Sequence, residues 1–248
     1  MDFALAAMAF APGLALGSFL NVVAARVPLK RSIVRPGSAC MSCGQEVAWY
    51  DNVPVVSYLV LRGRCRGCGT GIGAVYPAVE LLTALLIAAS CFPFGWSGKS
   101  LVAAFFCAVL VTISATDLSH RIVPNVIVIP AAALVLVAQT VLEPSAEWAL
   151  AAFGAALFLF IAALAYPKGM GMGDVKLALL LGAMLGRTVP VALMLGMIAA
   201  LVPSIVLLAR HGSAARKMAI PFAPFLALGA VIALFFGDRL LDVYLSLL

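Results

Sequence analysis

The sequence predicts an all-α polytopic membrane protein, with about eight transmembrane helices and one small cytoplasmic loop domain stapled by zinc. Three observations carry that prediction. Apolar residues make up 65% of the 248-residue chain and charged residues only 10%, where a soluble domain has about 25% charged. The apolar residues gather into runs close to the length that crosses a hydrocarbon core of roughly 30 Å. Inside the one sizeable polar segment stand four cysteines in two C-x2-C pairs.

The runs lie at roughly 3–25, 75–95, 100–117, 123–142, 147–166, 174–186, 189–209 and 222–237. Met1-Asp2 opens with an acid rather than a basic signal-peptide n-region, so the first run reads as a retained span. The polar segments then alternate sides. Placing 26–74, 118–122, 167–173 and 210–221 on the cytoplasmic side collects Arg26, Lys30, Arg31, Arg35, Arg62, Arg64, Arg66, Arg121, Lys168, Lys176, Arg210, Arg216 and Lys217 in those segments and at their helix edges, thirteen of sixteen cations. That asymmetry follows the positive-inside rule. It also accounts for the net charge of +6 through membrane sidedness, with no nucleic-acid partner. The 174–186 run is short, because thirteen residues rise only about 20 Å. It is kept as a crossing, since otherwise Arg210, Arg216 and Lys217 would fall outside. Three domains result: 1–25 as a first span, 26–74 as the loop, and 75–248 as the transmembrane catalytic part.

A segment of about 49 residues has too little core to hold itself, and such small domains need a staple. Cys40-Met41-Ser42-Cys43 and Cys65-Arg66-Gly67-Cys68 supply one. Each pair sets two thiolates on a tight turn, and four sulfurs close a tetrahedron around structural zinc. Disulfides are disfavoured in a reducing compartment. Arg62, Arg64 and Arg66 beside the second pair read as contacts to anionic lipid headgroups or to an acidic ligand. Cys91 and Cys107 lie within apolar runs and read as packing residues.

Two acids stand at the edges of spans. Asp117 ends the third run and Asp174 begins the sixth, so both are predicted at one depth and on one side. Ionisable groups at such positions mark functional sites. If they meet, two close carboxylates hold one proton between them, which provides a general base for water and an acid for a carbonyl or leaving amine. This is aspartic-protease chemistry. Each acid also has a plainer reading, Asp117 as an interfacial acid capped by Arg121 and Asp174 as an N-cap or first-turn acid of its helix. Gly169, Gly171 and Gly173 exceed what a cap needs; they serve close approach of a peptide substrate or unusual dihedrals that aim the acid. Lys176 keeps Asp174 charged or snorkels to headgroups. Glu80, near the start of the second span, binds a substrate amine or leader lysine, or pairs with Arg26 or Lys176. Ser18 and Asn21 line the site or tie helices together.

The chain resembles the type IV prepilin peptidases, aspartic membrane proteases with a GxGD motif. The resemblance rests on Gly171-Met172-Gly173-Asp174-Val175-Lys176-Leu177, on Asp117-Leu118 with Ile122-Val123-Pro124-Asn125, and on Gly17-Ser18-Phe19-Leu20-Asn21-Val22. The cysteine pairs, Asn52-Val53-Pro54, Tyr76-Pro77-Ala78-Val79-Glu80 and Ile220-Pro221-Phe222-Ala223-Pro224-Phe225 extend it nearly end to end. Ala223 replaces a usual Gly, and Ile72-Gly73-Ala74-Val75 lacks the usual Ser and Arg before Tyr-Pro. The resemblance implies Asp117 and Asp174 as the catalytic pair and cleavage of the basic leader from type IV prepilin or pseudopilin precursors. It further implies S-adenosylmethionine-dependent methylation of the new N-terminus, and a multi-pass location in the bacterial inner membrane with the zinc loop and active site toward the cytoplasm. The lipid bilayer is the other expected partner. No G-x-G-x-x-G fingerprint marks a nucleotide site. A cation- or proton-coupled transporter with Asp117, Asp174 and Glu80 as a relay is the competing class, but the internal repeat common in transporters is not seen. A noncatalytic zinc scaffold would leave the Gly-Asp stretch unexplained.

Overall fold

The computed structural model describes residues 2–166, 170–212 and 220–246. Gly169 and the cations Lys168, Arg216 and Lys217 lie outside the described residues. Every predicted apolar run is a helix: α1 Asp2–Arg26, α3 Val75–Phe94, α4 Gly98–His120, α5 Asn125–Leu142, α6 Glu147–Ala165, α7 Met172–Leu185, α8 Val189–His211 and α9 Ala223–Ser246. A five-residue helix, α2 (Val56–Val60), lies in the loop. No strand occurs among the described residues, only two isolated bridges.

Among the described residues seven segments are long and apolar enough to cross a membrane. The count is seven because α7 and α8 run together as Met172–Arg210, broken where Gly186 takes φ 54°. α7 has only 14 residues, as the shortness of its apolar run predicts. α4 is the most buried span, 72% of its apolar window being enclosed. Phe106, Cys107 and Ile113 in it are fully buried.

The chain divides into two compact units, Met1–Ala115 and Thr116–Leu248. In the first, α1 lies on α3 through Gly13 and Gly17: a Cβ at Gly13 would stand 2.7 Å from Ala84 Cα, and one at Gly17 2.6 Å from Glu80 Cα. Gly13 and Gly17 are a small-x3-small pair, which lets two helix backbones approach in a membrane. Ala24, Val79, Val111 and Ala115 close the packing beside them. In the second unit the same device recurs. Gly182 of α7 faces the backbone of Ala151 and Ala152 in α6, and Gly229 of α9 faces Ala192 and Gly196 of α8. The α7–α8 turn is tied down by Glu147, whose Oε1 accepts the Arg187 N–H at 2.7 Å.

Candidate active site

In the second unit, α4 continues one turn beyond the predicted end, so Asp117 sits within its last turn and is 7% exposed. Its Oδ2 accepts the backbone N–H of Ala223, the first residue of α9, at 3.1 Å. The donor is main chain, so an alanine there serves as well as a glycine. Arg121 gives its backbone N–H to the Asp117 carbonyl at 2.8 Å. Among the described residues no ion pair joins the two side chains, but the Arg121 charge lies within electrostatic reach of the Asp117 carboxylate.

Asp174 is the third residue of α7 and partly buried. It is not the N-cap. That position belongs to Gly171, at φ −83° and ψ 149°, with no side-chain cap bond. The Asp117 and Asp174 carboxylates lie within electrostatic reach of each other. Both acids, 57 positions apart in sequence, belong to the second unit.

The glycines act sterically. The extended dihedrals of Gly171 are open to any residue, and Gly173 lies in the helix, so the reading that glycine supplies unusual dihedrals does not hold for these two. A Cβ at Gly173 would stand 2.8 Å from Val123 Cβ, so glycine lets the start of α7 rest on the segment before α5. A Cβ at Gly171 would stand 3.7 Å from Asp174 Oδ2, in otherwise open space beside the acid. Among the described residues Lys176 forms no ion pair with an acid. Its Nζ donates to Asn125 Oδ1 at 2.8 Å and ties α7 to the first residue of α5.

Glu80 belongs to the first unit and is 8% exposed. Its Oε2 accepts the Val55 N–H at 2.8 Å. The expected pairing with Arg26 is not formed, because that guanidinium donates to the carbonyls of Ser32, Pro36 and Gly37. Asn21 does tie helices, donating to the Tyr76 carbonyl at 3.0 Å.

The cysteine pairs form two copies of one turn, 25 residues apart. In each, the first cysteine's N–H bonds a carbonyl five residues on (Cys40 to Gln45, 2.9 Å; Cys65 to Thr70, 2.8 Å), and Gly44 or Gly69 at φ near 70° closes back onto that cysteine. The four sulfurs lie within 4.8 Å of one another, with Cys40 and Cys68 at 3.7 Å. Zinc–sulfur bonds of about 2.3 Å in a tetrahedron require sulfur separations of about 3.8 Å, so the donor set fits the ion. The Cys68 thiol is held at about 6 by the Thr70 hydroxyl and N–H, which favours the thiolate that zinc binds. Arg66, read as a lipid or ligand contact, instead makes a two-pronged pair with Asp51 at 2.6 and 2.7 Å and lies over the Tyr50 ring. That pairing holds the Asp51 carboxyl below the usual range.

Reasoning from sequence missed the Ala223 N–H, the Val123 contact and the α1–α3 approach. Only the last had a signal, the four-residue spacing of Gly13 and Gly17; the others are adjacencies made by folding.

Comparison with known proteins identifies the family. Residues 12–94 match the family described as Bacterial Peptidase A24 N-terminal domain, and residues 104–205 match the Type IV leader peptidase family. A Bacillus subtilis protein named prepilin leader peptidase/N-methyltransferase is 34% identical over 95% of this chain and 96% of its own length. A Pseudomonas aeruginosa protein of that name is 34% identical over 94% and 91%. One from Myxococcus xanthus is 51% identical over 49% of this chain and 36% of its own length. No solved structure matches.

Proposed function

Because this chain belongs to the prepilin leader peptidase/N-methyltransferase family, we propose that Asp117 and Asp174 are its catalytic pair. The protein is a prepilin-type peptidase with methyltransferase activity. The observation that supports the pairing is the electrostatic reach between two carboxylates on different helices, one oriented by the Ala223 N–H and the other bordered by open space at Gly171. Two carboxylates at close range hold one proton. The ionised one takes a proton from water as the water attacks the scissile carbonyl, and the protonated one gives its proton to the carbonyl oxygen. On collapse the first gives its proton to the leaving amine while the second takes one back from a hydroxyl of the diol, which leaves the carboxylic acid product and the pair sharing one proton as before. Gly171 and Gly173 serve this site by clearance, one for the substrate backbone and the other for the seat of α7. Lys176 supports α7 from behind.

The substrates are type IV prepilin or pseudopilin precursors, and the apolar helix of such a precursor lies in the bilayer among the spans. The 26–74 loop and both aspartates face the cytoplasm, in the inner membrane of a bacterium; the asymmetry of Lys and Arg supports that sidedness. Cys40, Cys43, Cys65 and Cys68 hold a structural zinc ion, with no open position for water. S-adenosylmethionine supplies the methyl group. Nothing favours the transporter class.

The test is cleavage of a purified prepilin-type precursor in detergent by wild type, Asp117→Asn and Asp174→Asn. Each variant is expected to lose at least about a thousandfold in rate, the scale seen when one member of a catalytic unit is removed. Wild-type cleavage by either variant overturns the pair.

A further inference from the structure

The methyl-transfer reaction has no assigned site. It needs room for a nucleoside-sized donor and a group that holds an ammonium and takes its proton. The Met1–Ala115 unit contains a cavity of about 830 Å³, within the range of cofactor sites, roughly 300–1,000 Å³. Its walls are the facing ends of α1 and α3, both cysteine turns, and the Trp49–Asn52 turn. The zinc module is therefore part of the enclosure.

The lining is chemically suited to a cation. Glu80 lines it together with Tyr58 and Tyr76, and aromatic rings and carboxylates are the groups that receive onium ligands. Asp51 also lines it but is neutralised by Arg66. Glu80 stands apart. It is buried, one oxygen is fixed by the Val55 N–H, and no cation pairs with it among the described residues. Buried acids in membrane proteins take a cationic partner; here the place for one is the cavity. Two features hold this acid in position. Gly17 admits α1 against the Glu80 backbone. Val55, a β-branched residue, sits at φ 60° to bring its N–H to the carboxylate, a conformation that costs energy and marks a constrained segment.

We propose that this cavity is the methyl-transfer site, and that Glu80 binds the α-ammonium of the newly exposed N-terminus and takes a proton from it. The inference rests on the methyltransferase activity stated above. The ammonium gives one proton to the Glu80 carboxylate. The freed nitrogen lone pair forms a bond to the methyl carbon of the sulfonium donor, whose carbon–sulfur bond breaks with its electron pair left on sulfur. A neutral thioether and a methylated ammonium result, so charge and atoms balance.

The test uses the full chain in detergent and a peptide that already carries a free mature-type N-terminus, so no cleavage is required. Two quantities are read: equilibrium binding of tritiated S-adenosylmethionine, and label transferred to the peptide. Glu80→Gln keeps an acceptor for Val55 and removes the charge. It is expected to bind donor within about threefold of wild type while transfer falls at least about a hundredfold. Ala48→Trp, which fills the cavity from its wall, is expected to weaken donor binding at least about tenfold. Zinc content and thermal unfolding confirm that both variants are folded. Wild-type transfer by Glu80→Gln, loss of donor binding in Glu80→Gln, or unchanged donor binding in Ala48→Trp each overturns the proposal and leaves the activity standing. A wild-type protein that transfers no label overturns the activity itself.

Discussion

Replacing Gly173 by alanine probes whether the seat of α7 sets the catalytic geometry. The added Cβ would stand 2.8 Å from Val123 Cβ and 3.1 Å from its Cγ2. Carbon–carbon contact is comfortable from about 3.5 Å, so the shortfall is roughly 0.7 Å. A rotamer change at Val123 cannot absorb it, because the nearest atom is the Cβ, fixed to the backbone. The start of α7 must move instead, and the next residue is Asp174. A displacement approaching 1 Å at a reacting group costs on the order of a hundredfold in rate, while overpacking of this kind costs about 1–3 kcal/mol in stability. The assay is the initial rate of precursor cleavage at saturating substrate, with thermal unfolding in the same detergent. The expected result is a kcat lower by about a hundredfold in a protein still folded at the assay temperature. Val123→Gly in the same chain removes the conflicting atom and restores at least about tenfold. Cleavage by Gly173→Ala within about threefold of wild type would refute the argument that this contact positions the acid.

Gly171→Ala should behave differently: its Cβ meets nothing closer than 3.7 Å, so unfolding is unchanged, but KM for the precursor rises as the methyl group occupies the space beside Asp174. A normal KM would remove Gly171 from the substrate path. In chelator-treated protein, alkylation at pH 7 should reach Cys68 first, since a thiol near 6 is mostly thiolate there. Its lead should fade as pH falls through that value, and one equivalent of zinc should block it; equal labelling of all four cysteines by mass spectrometry would contradict this. Gly186→Ala, forced into φ 54° and against Glu147 and the Trp148 ring, should lower the unfolding temperature by several degrees, with a cost of about 1–3 kcal/mol. Asp238→Asn, by contrast, breaks an ion pair whose side chains are 65% and 69% exposed, and should cost less than about 1 kcal/mol.

The spans were legible because apolar length is a direct readout of membrane thickness, and even the shortness of α7 showed in the 174–186 run. The zinc site was legible because its ligands come in two local turns whose spacing survives in the chain. The partnership of Asp117 with Asp174 was legible only as a shared depth. No local pattern could show more than that, and the Ala223 N–H that binds Asp117 comes from 106 residues away. Gly171 and Gly173 were visible as unusual, yet the choice between dihedral freedom and clearance required the neighbours, Val123 above all. Glu80 was visible as an acid out of place. Its bond to Val55 and its place on a cavity wall follow from how the loop folds back onto α3, which no local pattern records.

The brevity of α7 bears on how hydrolysis is supplied with water. Fourteen residues rise about 21 Å, short of a hydrocarbon slab of roughly 30 Å. Nine of those residues are buried, so protein rather than lipid surrounds the helix. Asp174 lies at one of its ends. At membrane depth a helix end is tolerated only where protein or water lines the backbone, so the shortness that looks like a defect in a span sets this acid where a hydrolase needs its second substrate.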